Sequence, residues 1–179
     1  MNNSSDNIIL DFCDKQAVDN WEAIDDRIMG GCSQSQPAHI NNIGLRFTGT
    51  VSLVNNGGFA SIRSKTADYD LSAATGVTLR VKGDGKNYKL SLRTDSYYDG
   101  ISYQAEFETH KDAWQEIKLP FNTFKPTHHG LKLTTAAPME SSRIQSFGLF
   151  IANRQEGPFQ LDVAWIKQSI PGLNPRGHM

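Results

Sequence analysis

The sequence predicts an all-β sandwich of antiparallel sheets. Three observations predict it. Apolar and polar residues alternate with a period of two over most of the chain, the alternating runs are short and bounded by polar turn residues, and no segment sustains a 3.6-residue period. Each alternating run has one apolar and one polar face, as expected of an antiparallel sheet that is wet on one side.

The predicted strands follow in chain order. Residues 8–12 and 43–54 come first, then 58–63. Residues 76–83 set Val77, Leu79 and Val81 against Thr78, Arg80 and Lys82. Residues 87–94 set Tyr88, Leu90 and Leu92 against Lys89, Ser91 and Arg93. Residues 101–108 set Ile101, Tyr103, Ala105 and Phe107 against Ser102, Gln104, Glu106 and Glu108. Strands at 113–119, 145–152 and 158–167 complete the set. NNGG at 55–58, GDGK at 83–86 and DG at 99–100 carry turn chemistry, and GDGK reads as a hairpin turn. Residues 125–142 read as a strandless connection with a helical turn. One domain is expected over 7–168, between loose ends at 1–6 and 169–179.

The bulk properties exclude several classes. A chain of 179 residues with a net charge of −1 has no electrostatic footprint for nucleic acid or an anionic membrane. No apolar run approaches the roughly 18 residues of a membrane span. The N-terminus lacks the basic start and long apolar run of a secretory signal. Cys13 and Cys32 are too few for a disulfide scaffold and fit no zinc spacing. Reduced thiols in a cytoplasmic protein are therefore the expectation.

Several short motifs stand in order. They are Trp21 followed by DDRIMGGCS, FTGTVSLVNNGGFASIRS at 47–64, VKGDGKNYKLSLRT at 81–94, and Tyr103 with Phe107. WQEIKLPFNTFKPT at 114–127, SFGLFIANRQEGPFQLDV at 146–163 and Ile166 follow. Together they resemble the complex I intermediate-associated protein family of the thirty-kilodalton type, over roughly residues 8–167. The resemblance implies a galactose-binding-like jelly roll and an assembly or chaperone-like role. Mitochondrial members of that family help build respiratory complex I, and chloroplast relatives assist photosystem biogenesis. The chain shows no transit peptide and no second domain, so it looks like a free-standing bacterial-type member whose partner need not be complex I.

For DDRIMGGCS two readings stand. Gly30 and Gly31 let backbone approach a ligand that Asp25 or Asp26 would bind, or the glycines serve a tight crossing that an Asp caps, with Met29 beside Trp21. The expectation is a tight crossing that fixes the rim of a binding surface. The binding candidates are Asp26 and Met29 on that rim, Arg80, Arg93, Gln104 and Glu106 on one polar sheet face, and Tyr97 and Tyr98 at a loop tip. Against the face stands a solvated surface with cross-strand ion pairs such as Arg93 with Glu106.

Catalysis has little support. No acid pair is marked as an acid/base couple, Ser33 and Ser35 lie in no nucleophile elbow, and Cys32 is expected to be a buried structural thiol. His128 and His129 lack a clear further ligand in sequence. Relatives of this fold often hold Ca²⁺ near the first and last strands, where Asp11 and Asp162 could serve. No metal or cofactor is assigned.

Trp21, Phe59, Trp114, Phe121, Phe147 and Phe159 are the expected large core residues. The functional expectation is a non-catalytic protein-binding domain, an assembly factor for a respiratory or other membrane-associated complex. A carbohydrate-binding module with a small glycan ligand, and an enzyme with an unrecognised site, are the alternatives.

Overall fold

The structure is a computed structural model, and it describes residues 7–26 and 30–172. The loose end expected at 1–6, residues 173–179 of the one expected at 169–179, and Met29 lie outside the described residues, while Ser169 is the last residue of β13. Among the described residues two antiparallel sheets pack face to face. The strands are β1 (Ile8–Asp11), β2 (Trp21–Ala23), β3 (Gln34–Ile40), β4 (Gly44–Val51), β5 (Ala60–Ser64), β6 (Gly76–Lys82) and β7 (Asn87–Arg93). They continue as β8 (Ser102–Glu108), β9 (Trp114–Pro120), β10 (Lys125–His128), β11 (Leu131–Lys132), β12 (Ser146–Ile151) and β13 (Gly157–Ser169). One short helix, α1 (Lys15–Asp19), is capped by the Asp14 side chain, which accepts from the Gln16 N–H.

The first sheet runs β3-β4-β13-β6-β9, and β1 also pairs with β13. The long β13 has different partners along one edge. Gly157–Val163 pair with β4, and Trp165–Lys167 pair with β1. The second sheet runs β11-β10-β8-β7-β12-β5-β2.

The core forms where the inward residues of the two sheets meet. Phe47 and Phe159 from the first sheet pack edge-on against each other at 4.8 Å. Both reach Tyr88 of the second sheet, at 6.4 Å each. Leu79, Val81, Leu90, Leu92, Leu149 and Leu161 fill the layers around them. Such offset and edge-on aromatic pairs add to area burial. Tyr88 donates to Asp84 at 2.9 Å, which satisfies its hydroxyl; burial and then the Asp84 charge push its ionisation far up.

The predicted alternation matches β1, β4 to β9, β12 and β13 closely. Several expectations need correction. GDGK is not a hairpin turn, because β6 lies in the first sheet and β7 in the second; it is a crossing between layers. A Cβ on Gly83 would overlap the Thr109 side chain, which is why the crossing begins with glycine. The connection 125–142 is not strandless: it contains β10 and β11. Trp21, Phe147 and Phe159 are buried, but Phe59, Trp114 and Phe121 are only half-buried. Phe59 and Trp114 stack partly outside the sandwich, on Phe150 and under Arg80 respectively.

This division has a measurable outcome. Phe147→Ala should cost about 3–5 kcal/mol in urea unfolding, as expected when a buried aromatic leaves a cavity, and Phe121→Ala should cost clearly less.

Candidate functional site

The two ends of the second sheet are built differently. At one end the chain leaves β2 and presents Asp25 and Asp26 inward. Asp25 accepts from the Ser35 N–H at 2.8 Å and the Ser61 N–H at 3.0 Å, and also from the Ser35 hydroxyl. Ser35 lies on β3 of the first sheet and Ser61 on β5 of the second, so one carboxylate ties the two layers. Asp26 is 1% exposed. It accepts from the Ser33 N–H at 2.9 Å, the Ser33 hydroxyl at 2.7 Å and the Gly58 N–H at 2.8 Å, with the Phe59 N–H at 3.4 Å.

Both glycine pairs answer to this carboxylate. A Cβ on Gly31 would overlap the Asp26 carboxyl, and one on Gly57 would stand 2.6 Å from its Oδ2. Asp26 therefore has its oxygens occupied within the fold and does not present them on a rim. Burial pushes its carboxyl up, but hydrogen bonds from the Ser33 hydroxyl and from the Gly58, Ser33 and Phe59 N–H groups outweigh it and hold it below its ordinary value.

At the other end, Tyr97 and Tyr98 stand 75% and 59% exposed on the loop between β7 and β8. Arg93, at the end of β7, is 8% exposed and donates to the Gly100 carbonyl at 3.0 Å. Arg63, on β5, donates to the Tyr98 carbonyl at 3.2 Å and lies 5.4 Å from the Tyr98 ring centre. Asp95 accepts from the Tyr97 N–H at 3.1 Å and closes the turn. Burial and then the Arg63 charge push the Arg93 guanidinium down to about 10, so it is cationic at neutral pH; Asp95, Asp99 and Tyr98 act in the opposite direction. Its Nε is buried without a hydrogen-bond partner among the described residues.

Between these ends runs the outward face of the second sheet. Lys125, Gln104, Ser91, Gly148, Arg63 and Glu22 lie side by side in register across it. Glu106, Lys89, Phe150 and Ser61 form the next row. In the first row Ser91 and Gly148 occupy the middle and longer side chains the margins, whereas in the second Lys89 and Phe150 stand at the centre.

The predicted polar face is thus partly right. Arg93, Gln104 and Glu106 share the second sheet's outward face. Arg80 does not: it lies on β6 of the first sheet, beside Glu116 at 4.0 Å and Trp114. Alternation showed that Arg80 points outward, and the GDGK crossing puts that outside on the opposite layer. Arg93 and Glu106 are not paired; Glu106 is opposite Lys89 and accepts from Asn153 at 2.9 Å. Arg63 was missed, because ASIRS gives no sign that its Arg meets the Tyr97–Tyr98 loop.

Cys32 is exposed rather than buried, as is Cys13, and both are free. Asp11 and Asp162 are engaged separately. Asp162 accepts from the Arg46 Nε and Nη2 at 2.8 and 3.1 Å, and Asp11 pairs in register with Trp165. Asp99, His128 and His129 converge at the exposed end of the face.

The sequence profile of Complex I intermediate-associated protein 30 matches residues 10–163. The chain belongs to that family. Two members carrying that name are the mitochondrial proteins of Mus musculus, 25% identical over 94% of this chain, and of Drosophila melanogaster, 23% identical over 89%. The chain spans 62% and 61% of those relatives' lengths. Among solved structures, the family 11 carbohydrate-binding module of a Clostridium thermocellum cellulase superposes with a TM-score of 0.67 at 16% identity, covering 90% of this chain and 93% of the module. An agarase superposes with a TM-score of 0.61 at 12% identity, covering 94% of this chain and 25% of the agarase. These likenesses show the jelly-roll fold that the Complex I intermediate-associated protein 30 family adopts in this chain. No helix among the described residues is long and apolar enough to cross a membrane.

The carboxylate end yields a prediction with a defined sign. A carboxyl held low in the folded state contributes stability above its unfolded pKa, near 4, and that contribution is lost as pH falls through the lower folded value. Asp26→Asn should destabilise the protein by about 1–3 kcal/mol at pH 7, because one of the two oxygens that accept buried donors becomes an NH2 donor facing them. The gap between wild type and variant should narrow below about pH 4, as urea unfolding across pH will record.

Proposed function

We propose that this chain is a non-catalytic docking protein that assists assembly of a respiratory or other membrane-associated complex. Family membership supports the assembly role, since its relatives carry the name of complex I intermediate-associated proteins. The observation that carries the docking site is the Tyr97–Tyr98 loop. Two guanidiniums hold its carbonyls, so the backbone that carries its exposed rings is in place before any partner arrives. Preorganised aromatic anchors lose little freedom on binding and commonly dominate interface energy. Arg63 and Gln104, both half-buried, add directed donors beside them, and Arg93 holds the loop from beneath. The partner surface is therefore a protein segment offering carbonyl or carboxylate oxygens around an apolar contact. Two exposed thiols fit a reducing compartment such as the cytoplasm.

A non-catalytic reading also accounts for Cys32, whose thiol has no hydrogen-bonded acid or histidine among the described residues. A glycan ligand is the second reading. Exposed tyrosines at the end of a jelly-roll face favour it, because a ring face can stack on a sugar.

Affinity capture from the native cell, followed by mass spectrometry, tests the site. Tyr97→Ala/Tyr98→Ala should fold normally and lose the membrane-complex subunits that wild type recovers, by about thirtyfold or more if the pair contributes 2 kcal/mol. Identical recovery by both proteins would remove this loop from the interface. Saturable oligosaccharide binding by wild type, abolished in the same variant with no protein partner recovered, would replace the assembly reading with the glycan one.

A further inference from the structure

We propose that Asp99, His128 and His129 form a binding site for a first-row divalent metal of the zinc class. The site is independent of whichever partner docks on the face. Its three side chains come from two segments: Asp99 from the connection between β7 and β8, His128 from the end of β10 and His129 from the turn that leads into β11. One ligand atom from each lies within 4.8 Å of the others. The His129 Nε2 stands 3.0 Å from Asp99 Oδ2, and the His128 Nε2 stands 3.9 Å from Asp99 Oδ1. Donors about 2.0–2.1 Å from a tetrahedral zinc are about 3.3 Å apart, so these two separations bracket what the ion needs.

Two adjacent residues of a regular strand send their side chains to opposite faces. His129 instead takes a left-handed φ of 50°, and its ring comes within 4.1 Å of the His128 ring. This backbone turn brings both imidazoles to one carboxylate. Imidazole nitrogen with a carboxylate oxygen suits zinc, cobalt or nickel better than magnesium or calcium. Three protein ligands leave a position for water. A bound ion would cross-link the two segments and fasten the Tyr97–Tyr98 loop to the β10–β11 hairpin.

Isothermal titration of the chelator-treated full chain with zinc chloride, and the visible absorption of its cobalt form, test the site. Wild type should bind one ion here and gain thermal stability. Asp99→Ala, His128→Ala and His129→Ala should each weaken binding at least about tenfold, since losing a ligand costs no less than losing its supporting partner. All three positions are exposed or half-buried, and unchanged metal-free melting will show that the variants fold. His39→Ala should bind as wild type does. Absence of binding by wild type at millimolar zinc, or equal affinity in the three variants, would overturn the proposal.

Discussion

The sandwich depends on a pair of buried carboxylates at one of its ends. Asp25 and Asp26 follow β2 and collect N–H and hydroxyl donors from β3, from the segment before it, and from the turn into β5. Those segments would otherwise meet as polar backbone with no ladder to satisfy it, which is costly in a water-poor junction. Carboxyl groups meeting several donors relieve that cost, most of all Asp26, whose donors favour its ionised form; charged hydrogen bonds are about twice as strong as neutral ones. The arrangement fixes the path of the chain between the layers and forbids side chains at Gly31 and Gly57.

The opposite end works by the reverse charge. Guanidiniums of Arg63 and Arg93 reach out to carbonyls of a single loop and hold it over the end of the sheet face. One end thus buries its charge to join two layers, and the other uses charge to display a loop. A partner docking as proposed at the second end would leave the first undisturbed. Among the described residues, the cationic end carries the two exposed tyrosine rings.

Legibility in the sequence followed the number of neighbours each strand has. Central strands such as β7 and β12 bury one whole face, so their apolar residues recur every second position. The edge strand β3, and β10, which β11 covers only at Thr127 and His128, include Pro37 and Pro126 and have only modest burial, and their sequences carry no such alternation. Proline is tolerated at such positions because one side of the strand has no ladder partner there. Within the site, the exposure of the two tyrosines was legible from their place at a loop tip. The separation of Arg80 from Arg93 was not, because alternation fixes inside and outside without saying which layer a strand joins. The aspartates' partners lie as far as 36 residues away, beyond any local pattern. Their one visible trace was the repetition of Gly-Gly before serine in GGCS and GGFAS.

The divided edge of β13 has a consequence for how the molecule is made. β1, near the start of the chain, finds its ladder on residues 165–167, near the end. β4 and β6 likewise meet no partner on that strand until it exists. During synthesis the first layer must wait with its central position vacant, its flanking strands offering unpaired edges and apolar faces. Pairings of such long sequence separation are slow to form, and edges left open in the interval are where chains join one another. Emergence of β13 is therefore the event that joins the two incomplete halves of the first sheet.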